Sequence, residues 1–226
     1  MSDPLHASSP TCAQTLRALS RYPGRTAFAW PGGSLSYQGT IDLIGRIQAV
    51  FMRLGLQPGA RVAFLTANRA DTWCAGVAAQ LSRLCVTWLH PLGSRADQLF
   101  QLEDSEAEML VVDAATFRDR GGELAASASR LKAVFTMGAA DYGVDLLQAI
   151  EIEGHASAHC FAVPDDLSTL ITPAARPANP RARCAITART PGVLPRSSPT
   201  SRSRTPRTTS RLPRSAMSPA RKSCRP

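Results

Sequence analysis

The sequence predicts an α/β fold, a layered and largely parallel sheet carrying helices, followed by a disordered basic tail. Two observations carry this reading. Strand and helix periodicities alternate from residue 26 to residue 151, as in a sheet built from β-α-β units. Composition then breaks after residue 171. Residues 1–171 hold 13 basic and 17 acidic side chains, a net −4, together with all 13 aromatic residues. Residues 172–226 hold 13 basic and no acidic side chains, a net +13, with 10 of the 17 prolines and a single glycine, Gly192. The formal +9 of the whole chain is therefore not the charge of one uniformly basic domain. The first segment has the aliphatic and aromatic groups to build a core. The second has too few large apolar groups to offset the entropy of ordering its backbone. The expected divisions are an amino-terminal arm with a short helix (1–24), an α/β domain (25–171) and a Pro/Arg/Ser-rich tail (172–226).

The elements follow in order. Thr26–Trp30 is a short apolar run, Pro31-Gly32-Gly33-Ser34 a turn signal, and Leu35-Ser36-Tyr37 the return arm of a hairpin. Leu43, Ile47, Val50, Phe51 and Leu54 then share one helical face. Gly55 ends that helix and Pro58-Gly59 prevents its continuation. A strand is expected over 61–66, a helix rich in small residues over 70–84, a strand over 86–89 and a polar helix over 94–104. Met109–Val112 reads as a buried strand bounded by Asp113. A helix through about 114–129, a strand at 132–136 and a short helix at 143–151 complete the alternation. There is no internal repeat.

Several residue groups invite a chemical reading and have a plainer one. His155 and His159 have the spacing of some zinc ligands, but no C-x₂-C precedes them, and a surface loop before a strand accounts for both. Cys74 and Cys85 would need a base to act as nucleophiles, and His90 is the one nearby in sequence; buried structural thiols are expected instead. The six cysteines form no C-x-x-C pair. Pro31-Gly32-Gly33 is not followed by a lysine, so a hairpin turn explains it better than a phosphate loop. Glu103, Asp104, Glu106 and Glu108 read as a solvated helix end rather than an acid–base pair. No run of 18 apolar residues suggests a membrane-spanning helix, and Met1–His6 is unlike the charged start of a signal peptide, so a cytoplasmic protein is expected.

Several blocks, in order, resemble the amino-terminal region of the AMP-forming acyl-CoA synthetases, or fatty-acid–CoA ligases, of the adenylate-forming family. Leu35-Ser36-Tyr37 is similar to the family's L-T-Y, and Gly55-Leu56-Gln57-Pro58-Gly59-Ala60-Arg61-Val62-Ala63 to its G-L-x-P-G-D-R-V-A. Asn68 follows the strand as the family's Asn does. Leu102-Glu103-Asp104-Ser105 and Leu110-Val111-Val112-Asp113 match I-E-D-S and L-V-V-D. Asp165–Ile171 resembles the strand that leads into the phosphate loop. Gly39 and Ala60 depart from the family's Glu and Asp at structural positions. The resemblance covers about 25–171. It implies the amino-terminal part of the adenylate-forming enzyme fold, and a parent reaction in which a fatty acid, ATP and coenzyme A give acyl-CoA, AMP and pyrophosphate with Mg²⁺ assisting.

The family's next feature is a Thr/Ser/Gly-rich loop ending in P-K-G, whose N–H groups and lysine hold the ATP phosphates. Residues 172–184 read instead Thr-Pro-Ala-Ala-Arg-Pro-Ala-Asn-Pro-Arg-Ala-Arg-Cys. When each codon is started one base earlier, degenerate codons for this stretch can spell Tyr-Thr-Gly-Gly-Thr-Thr-Gly-Lys-Pro-Lys-Gly-Ala-Val, the missing loop. Further on, Ser215–Ala220 re-reads as Ser-His-Val-Ala-Gly, similar to an H-x-x-G segment of the family. The tail thus reads as out-of-frame translation after Ile171. In the family the phosphate loop, the adenine- and ribose-binding segments and the catalytic lysine all follow the position of Ile171. No residue of this chain is therefore assigned a catalytic, cofactor-binding or metal-binding role, and the chain is expected to be inactive, with no cofactor of its own. The alternative is a non-enzymatic protein whose Ser201–Arg207 segment binds nucleic acid through phosphate contacts; that segment has no aromatic residue for base stacking.

Overall fold

A computed structural model describes residues 9–171 and the backbone of a strand at 184–187. All of these lie in the first of two units, residues 1–192 and 193–226. Helix α1 (Thr11–Arg21) comes first. Strands β1 (Thr26–Trp30) and β2 (Gly33–Ser36) form the expected antiparallel hairpin. The turn between them needs Gly32, whose φ is +88°, and a Cβ on Gly33 would strike the Trp30 indole at 2.8 Å.

Helix α2 (Tyr37–Arg53) starts where the Ser36 hydroxyl accepts the Gly39 N–H at 3.1 Å. Ile47, Val50 and Phe51 are buried as expected. Leu54 is not: it is the C-cap residue and 37% exposed. Gly55, at φ +63°, takes the left-handed position that ends it.

The remaining elements are β3 (Arg61–Leu65), α3 (Ala70–Leu81), β4 (Cys85–Trp88), α4 (Arg95–Asp104), β5 (Met109–Asp113), α5 (Ala114–Ser127), β6 (Ala133–Met137), β7 (Val144–Asp145), α6 (Leu146–Ile152), β8 (Leu167–Ile171) and β9 (Cys184–Thr187). Three expectations are corrected. The helix expected to reach residue 84 ends at Leu81, since Arg83 takes a left-handed φ of +65° and turns the chain into β4. The helix expected from 143 begins at Leu146. Val144 and Asp145 pair with β6 instead, and the Asp145 carboxylate caps α6 by accepting the Leu147 N–H at 2.9 Å. Within the tail expected to lack regular structure, 184–187 forms a strand antiparallel to β8, whose outer edge offers it unpaired backbone groups. The rest of 172–226 lies outside the described residues.

The strand order is β7-β6-β5-β3-β4-β8-β9, with every neighbouring pair parallel except β8 and β9. Residue alternation sorts the two faces. Val62, Phe64, Val86, Met109, Val111, Phe135 and Met137 join the core under α1, α2, α3 and α6. Ala63, Leu65, Leu110 and Val112 face the opposite way, toward Leu102 of α4 and Leu124 of α5. Strands β3, β4 and β5 are buried on both faces, so they read as continuous apolar runs. From β3 the chain runs through α3 on the first face; from β5 it runs through α5 on the second. The carboxyl ends of these adjacent strands therefore diverge, and α/β sheets commonly bind ligands in such a crevice.

Candidate functional site at the carboxyl ends of β3 and β5

The crevice between β3 and β5 is bridged by Arg69. Its Nη2 and Nε donate to the Asp71 carboxylate at 2.6 and 3.0 Å, and its Nη1 donates to Asp113 Oδ1 at 3.3 Å. Asp113, almost wholly buried, also accepts the Ala115 N–H at 3.2 Å and the Thr116 hydroxyl at 3.0 Å, capping α5. The hydrogen bonds to Asp71 hold Arg69 above its ordinary pKa; burial works against them, and the charges of Asp71 and Asp113 work with them. Two carboxylates neutralise this one cation. It clamps the β3–α3 loop to the β5–α5 junction and has little charge left for a phosphate.

Beside the clamp, a cleft of about 830 Å³ opens between the hairpin, α2 and the start of α3. Its wall is aromatic: the Phe28 and Trp73 rings meet edge-to-face at 5.3 Å, and Trp30 and Leu35 extend the surface. Asn68 and Arg69 supply a polar rim. The cleft is amphipathic and holds no nucleophile paired with a base.

The residues weighed from sequence fall as follows. Cys74 and Cys85 are buried; burial pushes their thiols up to about 12 and about 11, with Asp71 adding to the first and Arg61 opposing the second. Such thiols carry almost no thiolate near neutral pH and are poor nucleophiles. Cys85 opens β4 and His90 follows its far end, so the two are not brought together. His155 and His159 lie in the loop before β8. Among the described residues no group of three or more His, Cys, Asp and Glu could hold a metal ion. The acidic cluster is spent on structure. Glu106 pairs with Arg61, Glu108 with Lys132, and Glu103 accepts the Ser129 N–H at 3.1 Å. No described helix is long and apolar enough to cross a membrane. The Arg69 clamp was missed in sequence because its partner lies 44 residues away; the one signal was the Asp113 that bounds a buried strand.

Comparison with known proteins matches the AMP-binding enzyme family to residues 16–178. That span takes in part of α1 and ends seven residues past Ile171. No curated protein matches the chain. Among solved structures, a benzoate CoA ligase from Burkholderia xenovorans LB400 superposes with a TM-score of 0.61 at 17% identity, covering 71% of this chain and 32% of that one. An amide bond synthetase, McbA, from Marinactinospora thermotolerans gives 0.61 at 19%, covering 71% and 31%. A fatty acyl CoA synthetase from Mycobacterium tuberculosis gives 0.60 at 21%, covering 71% and 32%. The chain thus spans about a third of the length of these structures.

Proposed function

The chain belongs to the AMP-binding enzyme family, and from that premise we propose that residues 25–171 are the amino-terminal part of a fatty-acid–CoA ligase whose reading frame slips after Ile171. One observation carries the reading: family similarity stops at residue 178, while the chain runs on to 226 in a composition with no acidic or aromatic residue. From residue 172, degenerate codons read one base earlier can spell the phosphate loop that this sequence lacks. The parent reaction has two steps. The fatty acid carboxylate attacks the α-phosphate of ATP and expels pyrophosphate; the coenzyme A thiol then attacks the acyl carbonyl and expels AMP. Both steps need donors positioned on developing negative charge.

Described residues contribute a scaffold to this chemistry rather than its reacting groups. The parallel sheet sets the direction of β8, which by its resemblance to the family is the strand that leads into the phosphate loop. In the present frame that position holds Pro173, Pro177 and Pro180, which have no N–H to give. The chain as it stands is accordingly inactive in this account. The fatty acid rests on the motif resemblance, since the fold is shared with a benzoate ligase and an amide bond synthetase. The cytoplasm is the compartment that suits the free thiols of Cys12, Cys74, Cys85 and Cys160.

The nucleotide sequence across codons 168–226 tests the frame. The reading expects an open frame one base earlier that spells P-K-G about ten codons after Ile171. Stop codons in that frame, or a different loop sequence, would sink it.

A further inference from the structure

The segment between α6 and β8 crosses the helical layer as an extended strap, and it is pinned on both sides of Cys160. On one side Gln48, buried in α2, donates from Nε2 to the His159 carbonyl at 2.7 Å and accepts the His159 N–H at Oε1 at 2.9 Å. On the other, the Phe161 N–H donates to the Leu81 carbonyl at 2.9 Å. Gly45 lets the strap lie directly on α2: a Cβ there would stand 2.0 Å from the Ala156 carbonyl oxygen. Helix α1 packs against α2 and α3, and it buries Cys12 in the same core. The result is a juxtaposition across 148 positions of sequence: Cys160, whose thiol donates to the Ala162 carbonyl at 3.8 Å, lies against α1 close enough to Cys12 for the two thiols to interact. Cys160 is exposed and borders an open cleft with α1 residues Ala13, Leu16 and Arg17; Cys12 is 3% exposed.

We propose that Cys12 and Cys160 form a thiol–disulfide modification site, in which Cys160 reacts with a small disulfide of the glutathione class and Cys12 closes the bridge. The Cys160 thiolate attacks one sulfur of oxidised glutathione, giving a mixed disulfide and one glutathione thiolate. Cys12 then attacks the Cys160 sulfur and expels the second glutathione thiolate. The two protein thiols lose two electrons and two protons, and one oxidised glutathione becomes two reduced molecules. Burial, with Cys160 adding to it, pushes the Cys12 thiol up to about 12, so Cys160 meets the oxidant first and closure is the slow step. The bridge ties α1 to the strap, closing a long loop that the unfolded chain otherwise samples freely.

The test uses the full chain with Cys184→Ser and Cys224→Ser, leaving Cys12, Cys74, Cys85 and Cys160 as the competing thiols. It is treated with oxidised glutathione and followed by intact mass and peptide mapping. The expected course is one glutathionyl group on Cys160, then its loss with the net removal of two hydrogens and a peptide cross-link between residues 12 and 160. Dithiothreitol reverses it. The oxidised chain should melt several degrees higher than the reduced one. Cys160→Ala, a change at an exposed position, should abolish both the adduct and the cross-link. Cys12→Ala should trap the mixed disulfide; if that variant does not fold, the Cys160→Ala arm decides alone. A cross-link through Cys74 or Cys85, or a Cys160 adduct that persists unclosed after free glutathione is removed, overturns the proposal.

Discussion

Arg69 shows how a single side chain can be read two ways. From sequence it is only a cation beside Asn68 at the end of a strand. In the fold it is held by Asp71 and by the buried Asp113, and it ties the β3–α3 loop to the start of α5. Replacing it with alanine leaves Asp113 with its helix-capping hydrogen bonds but without its countercharge. We expect a loss of about 1–2 kcal/mol in urea unfolding, at the lower end for a charged hydrogen bond because the guanidinium is partly exposed. Lysine should recover little of this, since it cannot make the forked contact to Asp71. A variant as stable as the parent would show that the clamp contributes nothing. The sequence made Asp113 visible as the end of a buried strand; its partner was hidden because nothing local links residues 69 and 113.

At the scale of elements, most of the fold was legible. The hairpin, four further strands and five helices come from short apolar runs bounded by turn signals or from period-3.6 patterns, which survive without tertiary information. Two other features were not. Val144–Asp145 is too short to show a period, and only β6 beside it makes it a strand. The order of the sheet is set by which helix covers which face, and parallel strands buried on both sides look alike in sequence. Strand β8 meets β4 through the single register pair Val86 and Thr169, supported by the Thr87 hydroxyl donating to the Leu170 carbonyl at 2.8 Å. Its entry is tied by Arg83, which donates to Asp166 at 3.0 and 2.9 Å. Burial alone would raise the Asp166 pKa, but the Arg83 hydrogen bonds, the Val163 N–H and the Arg83 charge outweigh it, and the carboxyl titrates below its ordinary 3.8. A carboxyl depressed in the folded state stabilises above its unfolded value and stops doing so as pH falls through its folded value. The parent should therefore be more stable than Asp166→Asn above about pH 4, with the gap closing on further acidification. A gap that stays constant between pH 6 and pH 2 would remove the tie from the account.

The described residues leave apolar groups exposed, and the rest of the sequence carries a charge of its own. Trp30, Trp73, Trp88 and Leu92 are exposed large apolar groups, Leu92 by 89%. Exposed apolar groups of this size favour self-association, which sedimentation should detect. The charge of the tail is +13 over residues 172–226, which lie outside the described residues except at 184–187. An out-of-frame polycation should bind nucleic acid with a steep salt dependence and no preference among sequences. A preference above roughly a hundredfold, within the range of specific binders, would favour the arginine-rich binding module instead.

We propose that the adenylate-forming fold of this chain is that of a ligase whose chemistry was lost with the frame after Ile171. The direct measurement is pyrophosphate release from ATP in the presence of fatty acids of short, medium and long chain. It is made on this chain and on the product of the same gene with one base restored at codon 171. The account predicts no release above background from the present chain. The repaired protein should release pyrophosphate with at least one acid class, and form acyl-CoA once coenzyme A is added. Turnover by the present chain, or a folded repaired protein inert toward all three classes, would contradict it.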